Sequence, residues 1–244
     1  MKIWIYSISI PAGLFSKLNT TLKDAIFIPP HHSEIQDLMS DLEKFINDNE
    51  HPIPHLIKIA IAHYQFETIH PFLDGNGRLG RLLITLYLVS NNVLRKPSLY
   101  LSDFFERNKT YYYDNLMSAR LHSNLNQWIK FFLVGVLETS NESIQVFKDI
   151  IKLKNTIELE KLPKLGSKIE NGHLLLKHLF QVPITDSKDV SKTLQISPST
   201  ANRLINQFIE LQILTELTGY KRNRKYIFKE YFNIFQRENT IVNN

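Results

Sequence analysis

Apolar side chains recur at helical spacing along most of the chain. A nearly continuous apolar stretch covers residues 57–69, and a second stripe follows the segment after it. That second stripe consists of Leu79, Leu82, Leu83 and Leu86. Spacings of i, i+3, i+4 and i+7 place apolar side chains on one face of an α-helix. The pattern therefore predicts a mainly helical fold in which two buried helices flank a short segment near residue 70.

Proline and glycine residues interrupt the helical pattern between these two stretches. Pro71 disfavours helical geometry at the residue before it, so we expect the first helix to end at His70. Gly75 and Gly77 permit backbone angles that are closed to other residues, and they let a ligand approach the main chain. The sequence thus predicts a short loop that joins two buried helices.

This loop brings together groups that can carry chemistry. The N–H groups of residues 75–78 would point out of the second helix's N-terminus, which holds phosphate through unpaired donors and the helix dipole. Arg78 and Arg81 are three apart, so both can lean over the same phosphate. Asp74 offers a hard oxygen ligand for Mg²⁺, and His70 has a pKa suited to a general base. The loop predicts a site for a phosphate-bearing nucleotide, a metal ion and a base.

Other interpretations of the glycines fit less well. Gly75-x-Gly77-x-x-Gly80 also matches the dinucleotide fingerprint, but that motif needs a preceding strand in a βαβ unit and an acid about twenty residues further on. Asp74 and Asn76 begin like a calcium loop, yet the glycine and the distal glutamate fall in the wrong places. A purely structural helix–loop–helix corner explains the glycines, but not a base, two arginines and an acid in one turn.

The stretch His70-x-Phe72-x-Asp74-Gly75-Asn76-Gly77-Arg78-x-x-Arg81 resembles the complete signature motif of the Fic family. Fic proteins typically transfer AMP from ATP to a hydroxyl side chain of a target protein. The related Doc proteins, which act as kinases, depart from the DGNG part of the motif. This chain keeps that part, so the resemblance favours AMP transfer over phosphoryl transfer.

The resemblance also implies a role for each residue of the motif. His70 would deprotonate the target hydroxyl, Asp74 would coordinate Mg²⁺, and Phe72 would anchor the loop in the core. The anion hole for the α- and β-phosphates would be formed by Gly75, Asn76 and Gly77. The phosphates would also be contacted by Arg78 and Arg81.

Further surfaces follow from the resemblance alone. Residues 19–28 resemble the β-hairpin flap, with Ala25, Ile26 and Phe27 as candidates for docking the target by strand addition; the alternative is a connecting loop tied down by Phe27. The adenine pocket would be bordered by Asn108, Tyr111 and Tyr112, although tyrosines also pack ordinary cores. Many Fic proteins carry an inhibitory helix, but its motif is not found before residue 70, so we expect no self-inhibition in cis.

The C-terminal part of the chain predicts a small α+β winged helix-turn-helix. Its first helix would cover Asp186–Leu194, and Ser197 and Pro198 suit the start of the second. The second helix would turn an apolar face towards the core, made of Ala201, Leu204, Ile205 and Phe208. Segments 214–217 and 225–228 would be wing strands. Base edges could be read by Thr200, Asn202, Arg203 and Asn206, and phosphates contacted by Lys221, Arg222, Arg224 and Lys225. A protein-docking or dimerisation unit with a solvated charged turn is the alternative, and both interpretations stay open.

Length and composition fit this organisation. The 244 residues are enough for one large or two modest domains. We predict a Fic domain with its flap segment at 1–162, a linker at 163–172, the winged helix at 173–235 and a tail at 236–244. The absence of cysteine excludes disulfides and thiolate metal sites. The net charge of +5 is carried towards the C-terminus, since residues 173–235 hold nine basic and five acidic side chains.

The favoured function is that of a cytoplasmic protein adenylyltransferase. It would use ATP and Mg²⁺ and modify a Ser, Thr or Tyr hydroxyl of a target protein. No apolar run approaches the length of a membrane-spanning helix, so no membrane partner is expected. One rival is a different reaction in the same pocket, such as AMP removal or transfer from another nucleotide. The other is a regulator that works through the winged helix, by binding DNA or docking a protein; a homodimer is also a candidate.

Overall fold

The computed structural model describes residues 27–220 and 222–236. These residues are mainly helical and include one small three-stranded sheet. The chain separates into two compact units, Met1–Ser143 and Ile144–Asn244. Each unit has an apolar core of its own. The prediction of a mainly helical fold is confirmed.

The first unit consists of helices packed around aromatic side chains. Its described helices are α1 Ile35–Asn47, α2 His55–Ile69, α3 Asn76–Ser90, α4 Leu101–Arg107, α5 Lys109–His122 and α6 Leu125–Thr156, which continues past the end of the unit. Phe105, Trp128 and Phe132 are fully buried together with Ile59 of α2. The Trp128 indole donates a 2.8 Å hydrogen bond to the carbonyl of Ala60. This bond satisfies the one polar group of the ring inside the core and holds α6 against α2.

The predicted break at residue 70 is confirmed. Helix α2 ends at Ile69, and His70 adopts the left-handed conformation with φ 49° and ψ 57°. Its N–H still donates to the carbonyl of Phe66 at 2.9 Å. Pro71 then carries the chain away from the helix, because its ring opposes helical geometry at the preceding residue. The loop between α2 and α3 therefore starts at the histidine.

The second unit begins in the same helix and ends in a small sheet. After α6 come a π-helical turn at Ile157–Lys161 and a 3-10 helix at Leu162–Lys168. The remaining elements are α7 Ile169–Gln181, β1 Ile184–Thr185, α8 Ser187–Leu194, α9 Pro198–Glu210, β2 Thr215–Glu216, β3 Tyr226–Ile227 and α10 Lys229–Gln236. The antiparallel sheet has the order β1-β3-β2, with Ile227 opposite both Ile184 and Thr215. The predicted strand segments thus contain β2 and β3.

Side-chain caps fix the starts of α8 and α9. The Asp186 carboxylate accepts from the N–H of Asp189 at 2.9 Å, and the Ser197 hydroxyl accepts from the N–H of Thr200 at 3.2 Å. Such caps satisfy N–H groups that the helix itself leaves unpaired. One face of α9 is buried, as its apolar spacing predicted; its members are Ala201, Leu204, Ile205 and Phe208.

Residues 163–172, which the sequence suggested as a linker, form helical turns on either side of a kink at Gly166, where φ is 56° and ψ is −124°. Leu165 and Gly172 are buried. A Cβ at Gly172 would lie only 2.5 Å from Leu165 Cδ1, so this glycine allows close packing and is not a sign of flexibility. The division between the two units falls after Ser143, within α6.

Part of the predicted flap lies outside the described residues. Ala25 and Ile26 fall there, as does most of the predicted tail, whereas Phe27 is described and half-buried. Among the helices of the described part, none is long and apolar enough to cross a membrane.

Candidate active site

The loop between α2 and α3 is exposed at residues 72–74 and leads directly into the start of α3. Gly75 precedes the helix with φ 85°, a backbone conformation that few residues other than glycine adopt. Its carbonyl accepts from the N–H of Leu79 at 3.0 Å, which is the first hydrogen bond of the helix. The N–H groups of residues 76–78 therefore have no place in the helical ladder. This end of α3 can bind an anion through these donors and the helix dipole.

The side chain of Asn76 holds the loop in shape. It is 2% exposed, and it makes two hydrogen bonds with the main chain of Phe72. Asn76 Oδ1 accepts from the N–H of Phe72 at 3.0 Å, while Asn76 Nδ2 donates to the carbonyl of Phe72 at 2.6 Å. Only an amide of this length offers both a donor and an acceptor here. The resemblance gave Asn76 a place in the anion hole, and the structure shows this tether as well.

Phe72 was expected to anchor the loop in the core, but its side chain lies near the surface. Its side chain is 49% exposed, although its ring centroid lies 6.5 Å from that of Phe66. The tether from Asn76 fixes the main chain of Phe72 and leaves the ring near the surface. The loop is therefore held by a polar side chain rather than by an aromatic anchor.

Both arginines of the motif lie over the glycines of the loop. A Cβ at Gly75 would be 3.5 Å from Arg78 Nη2, and a Cβ at Gly77 would be 3.9 Å from Arg81 Nη2. Arg78 also pairs with Asp74 at 3.3 Å, where both side chains are largely exposed. An exposed ion pair of this kind contributes little to stability. Both guanidinium groups thus lie beside the open start of α3, where a phosphate would bind.

His70 is half-buried at the end of α2. Burial lowers the pKa of its imidazole, and the positive charge of Arg120 lowers that pKa further. Hydrogen bonding to the Glu67 backbone acts in the opposite direction. Since the net effect is a lowered pKa, the imidazole is neutral at neutral pH and can accept a proton.

Ionisable side chains that the motif does not contain are buried beneath the loop. Glu67 and His63 lie one turn apart on α2, and both pack against Gly80. Burial raises the pKa of Glu67 to about 7, and burial lowers the pKa of His63 to about 4. His63 Nε2 lies 2.9 Å from the Tyr112 hydroxyl. The sequence signal for these two residues was that ionisable side chains interrupt an apolar helical stretch, since a buried polar group is informative.

The candidates for the adenine pocket fall in different environments. Tyr112 is buried in the core, with its ring 4.8 Å from that of Phe105. Tyr111 is 66% exposed, and Asn108 is half-buried where α4 meets α5. Asn108 Nδ2 donates to the carbonyl of Phe104 at 3.0 Å. Tyr111 and Asn108 keep surface that a nucleotide could reach, whereas the core position of Tyr112 leaves almost none.

The polar residues proposed to contact nucleic acid are also distributed unevenly. Asn202, Arg203 and Asn206 are exposed on α9, but Thr200 is half-buried and its hydroxyl lies 2.9 Å from that of Ser197. Arg224 pairs with Glu216, and Lys225 pairs with Asp186 at 2.9 Å. Arg222 is exposed, and Lys221 lies outside the described residues.

The donors of the loop suit a metal ion that is shared with a substrate. Among the described residues, no cluster of three or more His, Cys, Asp or Glu side chains could hold a metal by itself. Asp74 is exposed, and Oδ1 accepts from the N–H of Gly75 at 2.7 Å. Mg²⁺ is commonly bound by one or two carboxylates together with substrate phosphates. Asp74 therefore fits Mg²⁺ as a single protein ligand.

Comparison with known families agrees with the motif. Residues 4–88 match the Fic/DOC family. This Fic/DOC match contains α1, α2, the loop and most of α3. A probable protein adenylyltransferase of Aquifex aeolicus is 36% identical over 97 residues, which are 38% of this chain and 30% of that protein.

Other relatives match over shorter stretches. The protein adenylyltransferases Fic of Aedes aegypti and Drosophila melanogaster are each 40% identical over 63 residues, 25% of this chain and 13% of theirs. The chain thus spans less than a third of the length of the curated relatives it matches. A crystal structure of a Fic family protein from Desulfovibrio desulfuricans G20 superposes with a TM-score of 0.44 at 24% identity, over 82% of this chain and 56% of that one.

Proposed function

We propose that this protein is a protein adenylyltransferase that transfers AMP from MgATP to a Ser, Thr or Tyr hydroxyl of a target protein. The observation that carries the proposal is the loop itself. It places a neutral imidazole, at the end of α2, a few residues before an open helix N-terminus flanked by two arginines. The names of the matching relatives, which are protein adenylyltransferases, support this reaction.

The residues of the loop would divide the chemistry among them. His70 would accept the proton of the target hydroxyl as its oxygen forms a bond to the α-phosphorus of ATP. The bond from that phosphorus to the bridging oxygen of pyrophosphate would break, and pyrophosphate would leave with the electron pair. N–H groups of residues 76–78 and the guanidinium groups of Arg78 and Arg81 would stabilise the charge that builds on the phosphates. Holding both reactants in line lowers the barrier further.

Asp74 is the residue that would hold Mg²⁺. The ion, when bound, neutralises phosphate charge and orients the phosphates. The existing contacts of Asp74 with Gly75 and Arg78 keep its carboxylate beside the helix N-terminus. Arg78 would have to exchange its exposed contact with Asp74 for the phosphate. This exchange costs little because the ion pair is solvated.

Labelled ATP tests the proposed reaction. The purified chain is incubated with Mg²⁺ and a cell lysate, with the label on either the α- or the γ-phosphate, beside a His70→Ala variant. Protein-bound α-label that disappears in the variant is the expected result. Label from the γ-phosphate would instead identify a kinase. AMP removal would be identified if no protein becomes labelled while AMP is released from a target that was labelled beforehand. Labelled CTP, GTP and UTP test transfer from other nucleotides.

A second candidate function is DNA binding by the C-terminal unit, which we propose to be a winged helix-turn-helix. The order α7, β1, α8, α9, β2, β3 supports this assignment. Asn202, Arg203 and Asn206 on the exposed face of α9 are residue types that read base edges in the major groove. Arg224 and Lys225 are each engaged in an ion pair with a carboxylate. Arg222 is therefore the stronger candidate for a phosphate contact. Protein docking remains the alternative, and the homodimer stays a prediction.

A mobility-shift assay distinguishes these alternatives. If DNA binds, Arg203→Ala should weaken sequence-specific binding and Arg222→Ala should weaken binding to all sequences. Loss of a phosphate contact also reduces the slope of log affinity against log salt by about one unit. Lys177→Ala, an exposed position on α7, is the control of equal charge change. Absence of DNA binding in the wild-type chain would leave protein docking as the role of this unit.

A further inference from the structure

Arg120 links α5 to the end of α2 through a set of buried contacts. Its Nη2 donates to the carbonyl of Glu67 at 2.9 Å, and its Nε donates to Thr68 Oγ1 at 3.2 Å. Thr68 Oγ1 in turn donates to the carbonyl of Tyr64 at 2.8 Å. One guanidinium group thus holds both the main chain and a side chain in the last turn before His70.

The end of α2 needs such support. The last four carbonyls of a helix have no partner within it, and the Glu67 carbonyl is one of them. His70 also has the left-handed conformation, which is strained for a non-glycine residue and persists where neighbours enforce it. Arg120 supplies a donor for the Glu67 carbonyl, and its contacts with the last turn of α2 help to hold His70 in this conformation.

The same guanidinium reaches the segment before Pro29. Its central carbon lies 3.9 Å from the centroid of the Phe27 ring, in the geometry of a cation–π contact. Phe27 was a candidate for the flap that docks the target. Arg120 therefore lies between the segment predicted to hold the target and the helix that carries the base.

Arg120 also acts on His70 through its charge. Burial lowers the pKa of the His70 imidazole, hydrogen bonding to the Glu67 backbone raises it, and the Arg120 cation lowers it. The Glu67 backbone thus meets both the Arg120 guanidinium and the His70 imidazole. Burial raises the pKa of the Glu67 carboxyl, and the charge of Arg120 acts on this group in the opposite direction.

We propose that Arg120 is a positioning residue for His70: it clamps the last turn of α2, and so holds the imidazole in place for the target hydroxyl. The proposal rests on the AMP transfer proposed above for its catalytic part. Its structural part concerns the orientation and protonation of His70, which can be measured in the chain without substrate. The two parts can therefore be measured separately.

The test uses the full chain with Arg120→Met, Arg120→Lys and the control Arg107→Met. Arg107 lies on α4 and pairs with Asp103 and Glu142, so its removal breaks ion pairs without touching α2. NMR titration of the His70 imidazole, without nucleotide, is the first measurement. Arg120→Met should raise the pKa of His70, because a nearby positive charge is lost, and Arg107→Met should leave it unchanged.

Transfer kinetics are the second measurement. For Arg120→Met we expect a fall in kcat of about tenfold or more with the KM for ATP nearly unchanged, because a base is displaced while the phosphate site remains. Arg120→Lys keeps the charge but cannot make both hydrogen bonds, so it should lose kcat with little change in the pKa of His70. If Arg120→Met does not fold, Arg120→Lys supplies the kinetic result.

The outcomes separate the two proposals. An unchanged His70 titration in Arg120→Met would overturn the positioning role, whatever the reaction is. An equal loss of kcat and of ATP affinity in Arg120→Lys would also overturn it, since that pattern reports general damage. If the wild-type chain transfers no label, the proposed function fails, and the NMR result alone still decides whether Arg120 controls His70.

Discussion

Glu67 is a buried carboxyl beneath the loop, and its protonation affects the stability of the fold. Burial raises its pKa to about 7, from an ordinary value of 4.5. Between these two values the folded protein keeps a proton that the unfolded chain releases, so the contribution of Glu67 to stability falls as pH rises. Above pH 7 both states are ionised, and the loss levels off.

Glu67→Gln should remove this loss, because glutamine resembles the protonated acid. The free energy of unfolding of the variant, relative to the wild type, should increase from pH 5 to pH 8 by up to about 3 kcal/mol. Urea unfolding at both pH values measures it. His63, whose lowered pKa acts in the opposite direction, is present in both proteins and cancels in the difference. A difference that does not change with pH would contradict the prediction.

Gly80 sets how closely α3 approaches the ionisable residues of α2. A Cβ there would lie 2.6 Å from Glu67 Oε1 and 3.1 Å from His63 Cε1. The Glu67 carboxylate ends a flexible side chain and can shift, but the His63 ring is fully buried and stacks with Phe105 and Trp128. Gly80→Ala should therefore lower stability by about 1–3 kcal/mol, which thermal unfolding detects. Gly77→Ala is the matched control, since its nearest neighbour would be 3.9 Å away and alanine favours helix. Equal melting temperatures for the two variants would contradict this account.

At the scale of single residues, the sequence predicted the local position of a residue better than its contacts with distant parts of the chain. The position of His70 at the end of a helix followed from Pro71, a local effect. The contact of Arg120 with Glu67 and Thr68 joins residues more than fifty positions apart. Neither periodicity nor a motif reports such a contact. Tyr112 was proposed for the adenine pocket, yet it lies in the core because helix α5 turns that side towards Phe105 and Trp128.

At the scale of elements, the α2–loop–α3 corner depends on the tether from Asn76. Asn76→Ala would leave the N–H and carbonyl of Phe72 without these partners and release the loop. We expect a loss of about 1–3 kcal/mol in stability and a larger loss of ATP affinity, because the helix N-terminus is no longer presented in a fixed loop. Thermal unfolding and calorimetric titration with MgATP measure the two effects.

Asn76→Asp is the informative companion variant. Its carboxylate still accepts from the N–H of Phe72 but cannot donate to the carbonyl, and it adds negative charge near the phosphate site. It should weaken ATP binding at least as much as Asn76→Ala. Tighter ATP binding in either variant would contradict the role of the tether.

Element boundaries in the C-terminal unit were the part best predicted from sequence. Ser197, Pro198 and the apolar spacing of α9 act within a few residues, so their effects can be read directly. Residues 163–172 were assigned to a linker because glycine and proline are typical of loops. There Gly172 serves packing against Leu165, which depends on the fold and not on local preference.

At the scale of the whole molecule, the two cores are separate clusters of buried side chains. Phe208 is fully buried in the second cluster. Phe208→Ala should cost about 3–5 kcal/mol, and we expect hydrogen exchange to accelerate in α8 and α9 but not in α2. Phe232→Ala, at a 39% exposed position on α10, is the control with a small effect. Equal acceleration in α2 would show that the two units unfold together.

The tether of Asn76 also has a consequence for the chemical ageing of the protein. Asn76 is followed by Gly77, and an asparagine before glycine is the pair most prone to deamidation in a flexible chain. Here the amide is buried and hydrogen-bonded to the main chain of Phe72. Heat or partial unfolding breaks these hydrogen bonds and exposes the amide. Asparagine is thermolabile once it is exposed in this way. Deamidation at position 76 in a stored sample would therefore report that the loop had opened.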